Sequence, residues 1–359
     1  MAEKRKVKGL MERLRDGETV ICAEGYLFVF ERRGYLTAGS FVPEVVLEHP
    51  ELVRQQYEEF VHAGSDVVLA FTYYAHREKM ALIGREDDLE RINKHALRMA
   101  REVADQTGTL MAGNISNTNI FVDTVPDYRE KIRQIFKEQL EWIVEAGADY
   151  IVAETFDTFG EALIATRACK EFAKDLPCVV TLTCHQGPLT LDGVEYAEAF
   201  KQLAEAGADV VGLNCARGPA TMLPVLEEAG KLFNKVPLAA LPVMYRTTKE
   251  QPNFISSIDP ISGEPLFPVN LDCIQCNRKD IHDFGKRVQE LGIKYVGLCC
   301  GNSAHLTRSL AESLGRKPPA SRYSADLNKH WLLGHDDKLP LLGQESKTKY
   351  ATKLAKVEK

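Results

Sequence analysis

One short phrase recurs along the chain and constrains its architecture more than any other feature. Ala63-Gly64-Ser65-Asp66 precedes Val67-Val68-Leu69, Ala146-Gly147-Ala148-Asp149 precedes Tyr150-Ile151-Val152, and Ala206-Gly207-Ala208-Asp209 precedes Val210-Val211. Leu291-Gly292-Ile293-Lys294 before Tyr295-Val296 is a looser copy. Each reads as a helix end, a glycine stop and a strand start. Glycine supplies the left-handed cap that ends a helix, and a short run apolar on both faces suits a buried parallel strand. Strands are expected at about Thr19–Gly25, Asp66–Tyr74, Leu110–Ser116, Tyr150–Thr155, Cys178–Cys184, Asp209–Ala216, Pro237–Val243 and Tyr295–Gly301, with helix-patterned segments between them. Eight alternations predict an α/β protein, a closed (β/α)8 or TIM barrel. An open doubly wound sheet is the alternative, because alternation alone does not prove closure.

Two segments break the rhythm. Thr247–Asp280 carries Pro252, Pro260, Pro265 and Pro268 and is predicted to be a long loop inserted after strand seven. The barrel is assigned to residues 1–317. Residues 318–359, from the Pro318-Pro319 pair onward, form a C-terminal extension that is either a flexible tail or a packing arm for another subunit; Trp331-Leu332-Leu333 gives it something apolar to bury.

At 359 residues the chain is long for an ordinary domain, and a barrel of about 250 residues with insertions accommodates it. Hydrophobic residues make up 45% and charged residues 27%, which excludes global disorder. A net charge of −6 does not favour a nucleic-acid partner, which would want a basic face. The charged start, Met1 to Lys8, leads into no apolar signal segment, and no apolar stretch has the length of a membrane span. The expectation is a cytoplasmic protein. Nine cysteines without the close spacing of a secreted scaffold then read as reduced thiols or metal ligands.

Three of those cysteines stand out. Asp209-Val210-Val211-Gly212-Leu213-Asn214-Cys215 and Tyr295-Val296-Gly297-Leu298-Cys299-Cys300-Gly301 are apolar runs that finish on thiols. Strand ends of a parallel barrel converge on the face where such barrels keep their chemistry. Three thiolates form a soft-metal site, and zinc with three protein ligands keeps a fourth position for substrate. Neighbours within a regular strand point to opposite faces, so Cys299 and Cys300 share an ion only at an irregular strand end, which Gly301 permits. The competing reading makes them small buried hydrophobes. A further alternative is a closed structural zinc combining Cys299 and Cys300 with Cys273-x-x-Cys276, although that pair lies inside the irregular insert. Cys184-His185, ending strand five, also falls near the barrel mouth, where a lone histidine is more often a polar rim residue than a ligand.

Asn214-Cys215, Gly297-Leu298-Cys299-Cys300-Gly301 and Ala153-Glu154 resemble the homocysteine S-methyltransferase family of zinc barrels, as do Arg33-Gly34-Tyr35, Glu48-His49-Pro50-Glu51, Phe71-Thr72-Tyr73-Tyr74-Ala75 and Lys317-Pro318-Pro319-Ala320-Ser321. The likeness extends over residues 15 to 322 and is strongest towards betaine-using members. It implies zinc on Cys215, Cys299 and Cys300, the homocysteine sulfur in the fourth position, and methyl transfer from betaine or a related onium compound to give methionine. It also implies that Glu154 holds the substrate ammonium, that backbone donors around Gly25 meet the substrate carboxylate, and that the protein is a homo-oligomer, taken here as a dimer. Arg246 is an independent candidate for that carboxylate. A quaternary ammonium has no proton to donate and is recognised by aromatic faces. Phe41, Tyr73 and Tyr74 are the candidate cage, with Phe41 standing where such enzymes carry tryptophan and Thr155 where they carry an aromatic.

One departure is sharper. Where the family reads Gly-Asp-Gly-Gly, this chain has Cys22-Ala23-Glu24-Gly25. A one-residue shift along a strand turns a side chain to the other face, so Glu24 is not assumed to replace the aspartate. The departure leaves the thiol acceptor open. It also keeps two rival readings alive: a sulfonium donor such as S-methylmethionine, and a zinc-retaining thiol-binding protein without turnover.

Overall fold

A computed structural model describes residues 7–323, apart from 123, 125, 186 and the side chain at 126; the extension beyond 323, with Trp331-Leu332-Leu333, lies outside the described residues. The strands are β1 (Val20–Ala23), β2 (Val67–Leu69), β3 (Leu110–Ser116), β4 (Tyr150–Phe156), β5 (Cys178–Thr183), β6 (Val210–Asn214), β7 (Leu238–Leu241) and β8 (Tyr295–Leu298). Each pairs in parallel with the next, and β8 pairs with β1 through Val20↔Tyr295 to Ala23↔Leu298, closing the barrel. This is the predicted (β/α)8 architecture. Helices lie between successive strands. Pro50–Ala63, before β2, buries Val53, Tyr57 and Phe60 at the spacing that puts them on one face against the core. Among the described residues no helix is long and apolar enough to cross a membrane.

The recurring aspartates explain themselves at the N-terminal end of the barrel. Asp66 Oδ2 accepts the backbone N–H of Ile21 at 2.8 Å, Asp149 Oδ2 that of Met111 at 2.7 Å, and Asp209 Oδ2 that of Cys178 at 2.9 Å. Each aspartate opening an even strand thus ties to the odd strand before it. Each also meets a cation: Arg316 and Arg13 on Asp66, Arg101 on Asp149, Lys170 on Asp209. The repeat is a device for pinning strand register.

At the opposite end, regular pairing stops earlier than the sequence suggests. Strand two is predicted to run to Tyr74 and ends at Leu69; strand six to Ala216 and ends at Asn214; strand eight to Gly301 and ends at Leu298. Tyr74, Cys215 and Ala216 have φ of 59°, 58° and 57°, left-handed values that break a ladder. β4 continues to Phe156, but its pairing with β5 shifts register between Ala153 and Phe156, and Thr155 there has φ 63°. The insert is a loop as predicted, with short 3-10 turns at Phe254–Ser256 and Leu271–Ile274. It ends sooner than expected, because Asn277 and Asp280 form a reciprocal capping box that starts the helix Arg278–Glu290. The insert packs on the mouth: Phe254 N donates to Ala216 O at 2.9 Å, and its ring stacks on Tyr245 with centroids 5.3 Å apart.

Candidate metal and substrate site

Cys215, Cys299 and Cys300 come together where β6 and β8 end. Their sulfur atoms all lie within 4.8 Å of one another, with Cys215 and Cys300 3.6 Å apart and Cys299 and Cys300 4.0 Å apart. Sulfurs bound tetrahedrally at about 2.3 Å from one zinc would sit about 3.8 Å from each other, so the donor set and spacing fit that ion. The two adjacent cysteines share a face because the ladder has already ended. Cys299 N donates to Pro242 O, Asn302 N donates to Cys299 O, and Gly301 turns the chain with φ 83°. Gly301 has no substitute there: a Cβ would fall 2.6 Å from the Tyr245 ring. Mutual contact leaves the three thiols unequal. Cys215, hydrogen-bonded by the other two, is held well below the ordinary thiol range, while Cys299 and Cys300 are pushed up.

The other cysteines are elsewhere. Cys273 is exposed and directs its thiol to Asn270 O, and Cys276 is buried, with its thiol pushed up to about 12 by desolvation. Neither belongs to a ligand cluster among the described residues. Cys184 directs its thiol to Gly187 O. His185 is held between Asp157 (2.6 Å) and Asn253 (2.7 Å). Arg246 forms an exposed ion pair with Asp280 at 2.8 Å and borders a separate outer cavity.

Beneath the thiols, Glu154 is 4% exposed and fully engaged. Asn114 Nδ2 donates to its Oε1 at 2.7 Å, Asn214 Nδ2 to its Oε2 at 2.9 Å, and Thr155 Oγ1 to the same oxygen at 3.1 Å. Burial raises its carboxyl above the ordinary range against these hydrogen bonds. Asn214 is the hub, since its Oδ1 accepts Thr155 N–H and its Nδ2 also lies 3.9 Å from Cys299 Sγ. Asn114 belongs to no sequence motif, and its one signal along the chain is a polar side chain near the end of an otherwise apolar buried strand. Asn302, next after Gly301, is another such residue: its Nδ2 donates to Glu24 O at 3.0 Å and fastens the β8 turn to the end of β1.

Glu24 faces the site. It lies past the last residue of β1, where Gly25 has φ 89°, so strand alternation does not govern its direction. A carboxylate oxygen of Glu24, one of Glu154 and the Cys299 sulfur lie within 4.8 Å of one another. Both Glu24 oxygens are buried without a geometrically sound hydrogen bond. Burial first and the Glu154 charge second push its carboxyl well above the ordinary range, eased by the nearby Cys299 thiol and Asn214 amide.

The aromatic candidates divide into two groups. Tyr73 and Tyr74 pack together with centroids 4.2 Å apart, and Tyr73 lines the cavity beside Cys299 and Cys300. Lys79 Nζ sits 4.0 Å from the centroid of Tyr74. Phe41 packs instead against Phe28 and Phe267, in the cluster that the insert completes.

The family model described as Homocysteine S-methyltransferase matches residues 29–314. The chain belongs to the homocysteine S-methyltransferase family. Betaine–homocysteine S-methyltransferase 1 of Xenopus tropicalis is 36% identical over 88% of this chain and 78% of its own length, and the mouse enzyme of that name is 34% identical over 89% and 79%. The mouse S-methylmethionine–homocysteine S-methyltransferase is 34% identical over 91% of this chain and 89% of its own length. The fold is also that of the Escherichia coli homocysteine methyltransferase MmuM in its metallated form, at TM-score 0.65 and 19% identity over 84% of this chain and 99% of that one. Members of this family are S-methyltransferases, and the expectation of an enzyme stands on that relationship.

Proposed function

We propose that this protein transfers a methyl group from betaine, or a related onium compound, to the thiol of homocysteine, forming methionine, with zinc held by Cys215, Cys299 and Cys300. The observation that carries the reading is the gathering of three soft donors at the C-terminal end of a barrel of this family, at spacings one tetrahedral ion satisfies. When bound, zinc would keep the acceptor sulfur deprotonated at neutral pH. The rest falls to the chain. Glu154, fixed by Asn114, Asn214 and Thr155, presents a buried carboxylate that an incoming ammonium pairs with. Tyr73 covers the cavity and presents an aromatic face towards an onium donor, and Tyr74 backs it. Backbone around Gly25, close to the Cys299 carbonyl, lies where the acceptor's carboxylate would rest. Charge disappears as a thiolate attacks a cationic methyl donor, so a pocket this buried, with little water, favours the transition state over the separated ions.

A sulfonium donor is the second reading. It is favoured by the equal likeness to relatives named for betaine and for S-methylmethionine, and by Phe41 lying with the insert cluster rather than beside the tyrosines. A cytoplasmic, reducing setting, in which the thiols stay free, belongs to the same proposal. The test is zinc-loaded protein with homocysteine and a panel of betaine, S-methylmethionine and dimethylsulfoniopropionate, with product read by mass. Methionine formed from at least one donor is the expected result, and competition between donors ranks them. Homocysteine binding without product from any donor would leave a thiol-binding protein and overturn the enzyme reading.

A further inference from the structure

The rim of the barrel carries a carboxylate that the proposed chemistry leaves unused. Asp157, the residue after β4, accepts from His185 Nε2 at 2.6 Å and from Asn117 Nδ2 at 3.2 Å, so it is fixed from beyond the ends of β5 and β3. His185 brings a hydrogen bond and no charge. Asn253 of the insert has its Oδ1 occupied by the Ile255 N–H, so it turns Nδ2 to His185 Nδ1 at 2.7 Å, and the ring proton is then on Nε2, facing Asp157. Among the described residues no lysine or arginine pairs with Asp157. Arg217, two residues after Cys215, directs its N–H groups to the carbonyls of Cys184, His185 and Thr221, and Lys79 lies on the ring of Tyr74. Asp157 keeps 30% of its side-chain surface open, so a ligand can reach it. It also acts on the aromatic pair. Burial first, then the charges of Asp157 and Cys215, push the Tyr74 hydroxyl up to about 12, eased by Tyr73 and Asn119.

We propose that Asp157 is the counter-charge for the methyl donor and makes the site prefer donors of net positive charge to zwitterions. This rests on the proposed function, in which an onium methyl group approaches the thiols past Tyr73 and Tyr74. An aromatic face attracts an onium group whether or not a carboxylate follows it. A protein carboxylate discriminates: it attracts the cation, and a carboxylate on the donor cancels much of that attraction. S-methylmethionine, whose ammonium balances its carboxylate, keeps the net positive charge of its sulfonium. Dimethylsulfoniopropionate has the same dimethylsulfonium and a carboxylate but no ammonium, and betaine sets its carboxylate one carbon from the onium. The two sulfonium donors therefore differ at Asp157 although they present the same methyl group. Betaine remains a donor, held less tightly. The donor's charge falls as its methyl passes to sulfur, so the attraction is strongest before reaction and belongs in KM rather than kcat.

The test is steady-state kinetics of the zinc-loaded full chain with homocysteine and either S-methylmethionine or dimethylsulfoniopropionate, for the parent and Asp157→Asn. The variant is expected to raise KM about tenfold for S-methylmethionine and about threefold or less for dimethylsulfoniopropionate, with kcat reduced for neither. Comparing each donor with itself cancels differences in intrinsic methylating power. A rise for dimethylsulfoniopropionate as large as for S-methylmethionine, no rise for either, or a fall in kcat common to both overturns the inference and leaves Asp157 a structural support of the rim. In each of those cases the proposed function stands. If the variant fails to fold, salt titration of the unaltered protein decides the matter. KM for S-methylmethionine is expected to climb with salt and that for dimethylsulfoniopropionate to hold, and parallel curves overturn the inference. If no methionine forms from either donor or from betaine, the proposed function falls and this inference falls with it.

Discussion

Three amides and hydroxyls hold one carboxylate in this site and none holds its neighbour, and that asymmetry is where single residues are most open to test. Asn214 donates to Glu154 and touches Cys299, so it links the carboxylate proposed to hold the ammonium to the thiol cluster. Asn214→Ala is expected to keep the proposed zinc, because the three thiols remain, and to lower the proposed kcat/KM with homocysteine by about 10–100-fold as Glu154 loses its orientation. Steady-state kinetics with parallel metal analysis checks it, and loss of zinc in step with activity would assign Asn214 to the metal instead. Glu161 gives a prediction for stability. Its carboxylate accepts from Thr118 N at 2.8 Å, yet burial pushes its carboxyl up to about 7, from about 4.5 when unfolded. Between those values the folded protein binds the proton and the unfolded chain does not, so this contribution is present at low pH and is lost as pH rises towards 7. Melting temperatures of Glu161→Gln across pH 5 to 7 are expected to fall less steeply than those of the parent, and parallel curves would refute the assignment.

At the scale of elements, the proposed site residues lie in the last residues of the strands and the first residues beyond them, where ladders end or shift register and the backbone turns left-handed. Non-glycine residues at such φ cost on the order of 1–3 kcal/mol each. Tyr74, Thr155, Cys215 and Ala216 all carry this strain, held by the strands and the insert around them. Gly25 shows how little freedom remains: a Cβ there would fall 2.2 Å from Cys299 O. Gly25→Ala is therefore expected to displace Cys299 and weaken binding of the proposed zinc by more than about tenfold, as read by chelator competition, while cooperative melting persists because the barrel is untouched. Retention of parental zinc affinity would show that the β8 turn yields freely. Sequence patterns located these strand ends only coarsely. Leu110–Ser116 agrees at both bounds and Tyr150, Cys178 and Tyr295 agree as starts, whereas the C-terminal bounds of strands two, six and eight overshoot. An apolar run does not record where pairing stops, since that depends on the φ values imposed by neighbouring strands.

Across the whole molecule the two barrel ends divide stability from chemistry. Asp66, Asp149 and Asp209 sit at the N-terminal end, each joining a backbone N–H to a basic partner. Asp149→Ala strands the Met111 N–H and leaves Arg101 without that partner, and is expected to cost about 1–3 kcal/mol, measured by denaturant unfolding, with turnover per folded molecule unchanged. A loss of turnover without loss of stability would contradict the division. The strand count, the glycine stops and the three thiols that close apolar runs were all legible along the chain, because periodicity and punctuation are local properties of sequence. The distances between those thiols, the exclusion of Cys184, Cys273 and Cys276 from their cluster, and the meeting of Glu24 with Glu154 were decided only by tertiary structure. Past the last paired residue of a strand, a side chain's direction is set by backbone turns that other strands impose, and no spacing within one segment carries that information.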